Sequence, residues 1–109
     1  MIHATIRMLI PPKRSGEVIE ILSSMAERSR FEPACIDCRV YQDVEVESAI
    51  LIEQLWKSGE ELECYLRSEE FRKVLLIVEM AVEPPEIRFD EILQSTGFEA
   101  IEKARRQAR

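Results

Sequence analysis

The chain has 109 residues, 46% of them apolar and 33% charged, which fits one globular domain and excludes a disordered chain. Its longest apolar run, residues 74–78, falls far short of the roughly 20 residues a membrane span needs. The first 102 positions hold 21 acidic against 11 basic residues, a net −10 that excludes broad nucleic-acid binding through a cationic surface.

The N-terminus lacks the basic start and apolar stretch of a signal peptide, so a cytoplasmic protein is expected. Residues 2–10 then alternate as a half-buried strand. Ile2, Ala4, Ile6, Met8 and Ile10 take one face, His3, Thr5, Arg7 and Leu9 the other, and Pro11-Pro12 ends it. From Ser15 the period changes, and Val18, Ile21, Leu22, Met25 and Ala26 predict a helix to about residue 29. Residues 35–43 alternate again, with Ile36, Cys38 and Val40 opposite Asp37, Arg39, Tyr41 and Asp43. Residues 49–56 form a strand that is apolar on both faces except at Glu53 and Gln54, and it pairs with its predecessor as a hairpin.

Ser58-Gly59-Glu60-Glu61 has capping-box spacing and opens a short helix over 59–67. Ser68, followed by Glu69 and Glu70, caps another, whose stripe is Phe71, Val74, Leu75 and Val78. After Pro84-Pro85, residues 86–92 alternate, with Ile87 and Phe89 opposite Glu86, Arg88 and Asp90. Thr96 and Glu99 open a last helix with a thin apolar face: Ala100, Ile101, Ala104 and Ala108. Its basic end (Lys103, Arg105, Arg106, Arg109) suits a helix C-terminus.

The order β-α-β-β-α-β is the ferredoxin-like α+β arrangement, an antiparallel sheet with helices on one face, here with an extra C-terminal helix. A domain over 1–94 and an extension over 95–109 are expected. The doubly apolar third strand calls for a cover over the sheet's second face, and a homodimer supplies it.

Cys35 and Cys38 form a C-x-x-C. On a regular strand, positions three apart point to opposite faces, and no helix N-terminus follows to activate a thiol. With Cys64 and His3 as the only other soft ligands, no metal and no cofactor is expected, and the thiols read as small buried side chains.

Several stretches resemble the antibiotic biosynthesis monooxygenase domain family. They are Ile10-Pro11-Pro12-Lys13-Arg14, Ser29-Arg30-Phe31-Glu32-Pro33-Ala34-Cys35, Arg39-Val40-Tyr41-Gln42-Asp43, and Trp56-Lys57-Ser58 with the later Leu66-Arg67-Ser68-Glu69-Glu70-Phe71. The resemblance covers residues 1 to about 93 and implies a dimeric α+β barrel. It further implies cofactor-free oxygenation of a small phenolic, anthrone or quinol ring, which needs a base, an anion stabiliser and a largely apolar pocket. Three positions depart from the family pattern: Tyr65 stands where a His is usual, Gln54 where a Glu is usual, and Ala34 where a Gly is usual. Residues 69–80 lack the His that the haem-degrading branch uses as a ligand.

The resemblance puts Tyr65, Trp56, Gln54 and Cys64 near a pocket, with Tyr65 as a hydrogen-bond donor to an oxyanion. His3, the one side chain that ordinarily titrates near neutrality, is the candidate base. Arg7, Arg39 and Arg88, with Asp37 and Asp90, share the sheet's second face and line either an anionic-ligand site or an ion-pair network between subunits. Two functions stand open: a cofactor-independent monooxygenase, and a non-catalytic dimeric small-molecule-binding or stress-response module. Partners are a second copy and a small molecule, with no nucleic acid and no membrane.

Overall fold

The computed structural model describes residues 1–107; Ala108 and Arg109, the ends of the expected apolar stripe and basic tail, lie outside the described residues. The elements are β1 (Ile2–Leu9), α1 (Pro12–Ser29), β2 (Cys35–Gln42), β3 (Ala49–Trp56), α2 (Gly59–Leu66), α3 (Glu69–Val78), β4 (Glu86–Glu91) and α4 (Phe98–Gln107). The strands form one antiparallel sheet in the order β2-β3-β1-β4. This is the ferredoxin-like α+β fold with an added C-terminal helix.

Helix α1 starts at Pro12, three residues before its apolar period begins, because proline at the first helical position has no N–H to leave unpaired. The Ser58 hydroxyl accepts from the Glu61 amide (3.3 Å), and the Ser68 hydroxyl accepts from the Phe71 amide (3.1 Å). Among the described residues no bond returns from the Glu61 carboxylate to Ser58, so that carboxylate stays free at the helix surface. Helix α4 begins two residues past Thr96, and Glu99 accepts instead from the Gly97 amide (2.8 Å).

Alternation along β1 and β3 sends Ala4, Ile6, Met8, Ile50, Ile52 and Trp56 under the helices, where they meet Val18, Leu22, Met25, Leu62, Phe71 and Val74. In β2 a register shift between Cys35 and Asp37 breaks the expected alternation. A bulge inserts one residue and reverses the parity before it. Cys35 and Cys38 are therefore both buried on the helix side, and Ile36, expected inside, is 48% exposed. Ile87 and Phe89 do lie on the helix face, opposite Ile6 and Ala4, but they remain 44% and 46% exposed. They sit on an edge strand beyond the reach of the helices.

Helix α4 buries no residue. It stands off the body, so the radius of gyration is 16.3 Å, against about 13 Å for a compact chain of this length. No helix among the described residues is long and apolar enough to cross a membrane.

Candidate functional site

A cavity of about 540 Å³ opens where the end of α1, the loop before β2, the end of β3 and the α2–α3 junction meet. Ala34, Trp56, Cys64 and Tyr65 form its apolar wall, and Arg28, Glu32, Glu61 and Glu70 stand around it with Ser29 and Ser68.

The wall is set by aromatic packing. Tyr65 lies against Trp56 with ring centroids 4.7 Å apart and meets Phe71 edge-on at 5.3 Å. Gln54, 4% exposed, holds both rings from behind. Its amide donates to the Tyr65 hydroxyl (3.3 Å) and to the Cys38 sulfur (3.5 Å), and its carbonyl accepts from the Trp56 indole (3.3 Å). The Tyr65 hydroxyl in turn donates toward the Met25 sulfur (4.0 Å), so its polar tip points into the core. Burial pushes its pKa to about 12, the Gln54 bond offsetting only part of the shift. Ser68 fixes the junction by donating to the Tyr65 carbonyl (2.6 Å).

The charged side chains come from three helices and one loop. Arg28, in the last turn of α1, binds Glu70 at 2.8 Å, and Lys73 approaches the same carboxylate at 3.6 Å. The Arg28 guanidinium holds the Glu70 carboxyl below the ordinary carboxylate range. Glu61 lies in the first turn of α2, and Glu32 in the loop beyond α1.

The other expected site residues lie across the sheet. On its second face the register sets Asp37, Leu55, His3 and Asp90 in one row. Arg39, Glu53, Thr5 and Arg88 form the next, and Tyr41, Leu51, Arg7 and Glu86 the third. His3 meets Glu53 diagonally at 2.9 Å, and the Tyr41 hydroxyl donates to the same carboxylate at 3.2 Å. Arg39 pairs with Asp37 (2.8 Å) and Arg88 with Asp90 (3.5 Å), each within its own strand. β2 and β4 are opposite edges of a four-stranded sheet, about 14 Å apart. The three arginines therefore do not converge on one anion within a subunit. Arg7 borders a smaller hollow of about 140 Å³ with Tyr41 and Leu51.

Tyr65 and Trp56 thus share the cavity, Gln54 supports it, and His3, Arg7, Arg39 and Arg88 lie on the other side of the sheet. Sequence reading missed Arg28, Glu32, Glu61 and Glu70, which look like ordinary helix-surface and loop charges. The one signal available was that Glu32 and Glu70 fall inside the stretches quoted for the family resemblance. Among the described residues no cluster of three or more His, Cys, Asp or Glu is placed to hold a metal ion.

Comparison with known proteins agrees with this architecture. A crystal structure of an antibiotic biosynthesis monooxygenase superposes with a TM-score of 0.76 at 18% identity, covering 86% of this chain and all (100%) of that one. A conserved protein from Methanosarcina mazei is 25% identical with a TM-score of 0.74 (83% and 90% coverage). A protein from Deinococcus radiodurans reaches 0.80 at 14% identity (89% and 97%). A search of curated proteins gives no significant match. The family profile described as antibiotic biosynthesis monooxygenase matches residues 1–75 of the sequence, more than half its length. The chain belongs to the antibiotic biosynthesis monooxygenase (ABM) family, whose members are typically dimeric.

Proposed function

We propose that the protein is a homodimeric, cofactor-independent monooxygenase that takes a small phenolic or quinol ring into the cavity between α1, α2 and α3. The observation that carries the reading is the cavity: about 540 Å³, lined by Ala34, Cys64 and the Tyr65 ring over the buried Trp56, with a few charged side chains around it. Small-ligand sites have this size and this division between apolar wall and few polar groups. In such a reaction the substrate supplies the electrons. Loss of a phenolic proton gives an anion that reduces O₂; one oxygen atom enters the ring as a quinone carbonyl, and the other leaves as water.

Tyr65 supplies the ring face against which the substrate packs, with the buried Trp56 stacked behind it. Arg28 supplies a cation that favours the phenolate form and receives it as the phenolic proton passes to solvent water, while Glu70, held ionised by that guanidinium, fixes the guanidinium in place. Tyr65 contributes its ring and not its hydroxyl, which is already bonded in the core. In this reading His3, Arg7, Arg39 and Arg88, with the half-buried Leu9, Leu51 and Leu55, belong to the face that a second subunit covers.

The test is O₂ uptake with a quinol or anthrone in metal-free buffer. Saturable uptake, one O₂ per quinone formed, should fall at least about tenfold in Arg28→Ala, the scale of losing one positioned charge. Uptake no faster than the substrate's own autoxidation would remove the oxygenase reading. The engaged Tyr65 hydroxyl, at the position where a His is usual, favours the second reading, a dimeric binding module, which predicts ligand binding without uptake.

A further inference from the structure

We infer that helix α4 is an exchange arm, which crosses to a second copy of this chain and packs on the helix side of that copy's β4. The inference rests on the homodimer reading and adds a second contact to it. Two unpartnered apolar strips in one chain are the observation. On the helix side of β4, Ile87 and Phe89 are half-exposed, out of reach of their own helices. On α4, Phe98 and Ile101 are 70% and 53% exposed, and Ala104 continues their line at helical spacing.

The strips also differ in the sign of the charge around them. Residues 79–91, which lead into β4 and form it, hold five acidic residues and one basic. Residues 103–109 hold four basic residues and no acidic one. Opposite charge beside two apolar strips favours α4 against β4 over α4 against α4. The course of the chain favours a second copy as the acceptor. The Ile92 amide donates to the Met1 carbonyl (2.8 Å), which holds the end of β4 on the sheet, and beyond it α4 stands off its own body with no residue buried. Exchange of such an element between identical chains is a low-cost route to a dimer. A copy seated on the sheet's second face has only the edge strand β4 to round. Residues 92–97 reach about 20 Å when extended, against about 10 Å between packed layers.

The test is cross-linking of the full chain carrying Glu91→Cys, Ala104→Cys and Cys64→Ser, in which the remaining native thiols, Cys35 and Cys38, are buried. Glu91 lies on the helix side of β4, opposite Ile2, and all four strip residues are kept. Bismaleimidohexane should give a covalent dimer, with peptide mapping joining position 91 of one chain to position 104 of the other. The same link within one chain overturns the exchange. No link overturns it too, and light scattering then separates the two claims: twice 12.7 kDa leaves the homodimer standing, and 12.7 kDa removes both. Ile101→Asp gives an independent measurement, because α4 buries nothing in its own subunit. It should raise the dimer dissociation constant at least about tenfold with circular dichroism unchanged, the scale of losing one apolar anchor from an interface. An unchanged constant overturns the arm.

Discussion

Gln54 donates a hydrogen bond to the Tyr65 hydroxyl across 3.3 Å and so ties the second helix to the third strand from inside the core. Both groups are shut away from the cavity that the Tyr65 ring lines. Tyr65→Phe should therefore cost stability, about 1–3 kcal/mol for a buried amide left with one partner fewer. It should leave ligand affinity and O₂ uptake within about twofold, because the ring face remains. Urea denaturation and a parallel uptake assay check this; unchanged stability with lost uptake would place the hydroxyl in the chemistry after all.

Ser68 closes the α2–α3 junction, accepting from the Phe71 amide and donating to the Tyr65 carbonyl. Ser68→Ala should lower stability by about 1 kcal/mol, the usual value of an N-cap. It should also weaken ligand binding, since the junction positions the Tyr65 wall. Ser58→Ala removes a comparable cap at the other end of α2 and should lower stability with less effect on binding. Equal binding losses in the two variants would mean the junction has no special part in shaping the cavity.

The second face of the sheet carries Leu51 and Leu55 amid charged rows, in register with Arg7 and His3. Covering those leucines with a second copy is what gives the face its stability in this reading. Light scattering should return twice the 12.7 kDa of the chain. Leu55→Asp buries an unpaired charge at that contact and should shift the protein toward monomer. A wild-type value near 12.7 kDa at micromolar concentration contradicts the assembly.

Alkaline pH should destabilise the fold. Burial, reinforced by the neighbouring Cys38, raises the Cys35 thiol from 9.0 to about 11, and burial raises Tyr65 from 10.0 to about 12. Each folded-state value exceeds the unfolded one. The folded protein thus keeps protons that the unfolded chain releases, and stability falls as pH rises. The contribution is full below about pH 9 and is lost as pH climbs through the folded values. Urea midpoints should therefore decline above pH 9, with the lower part of the decline reduced in Cys35→Ala and the upper part in Tyr65→Phe. A midpoint flat to pH 11 contradicts the burial of both groups.

Much of this fold is legible in the sequence because its strands and helices have clean periods. Ile2 to Met8 alternate, Val18 to Ala26 follow a helical stripe, and Pro11-Pro12 and Pro84-Pro85 mark the boundaries. The bulge before Asp37 is not legible. A one-residue shift leaves composition untouched and reverses which of Cys35 and Ile36 faces the core. The exposure of Ile87 and Phe89 is hidden for a different reason: alternation gives the face of a strand, but only the packed helices decide whether that face is covered. At the site, Trp56 and Tyr65 were within reach of a family resemblance. Arg28, Glu32, Glu61 and Glu70 do not read as site residues, Glu61 and Glu70 serving only as helix-start signals, because the four come together only when α1, its following loop, α2 and α3 are packed. His3 and Arg39 attracted notice as chemistry-bearing groups on one sheet face, and that face proves to be the one turned away from the cavity.

In the proposed function the ligand enters between the helices and the end of β3, not on the open face of the sheet. The most direct measurement is amide and indole chemical-shift mapping on ¹⁵N-labelled protein titrated with a phenol. Shifts are expected at the Trp56 indole and at Ser29, Ala34, Cys64 and Ser68, with His3, Thr5, Arg7 and Tyr41 unmoved. Shifts confined to His3, Tyr41, Glu53 and their row neighbours would contradict it and move the site to the other side of the sheet.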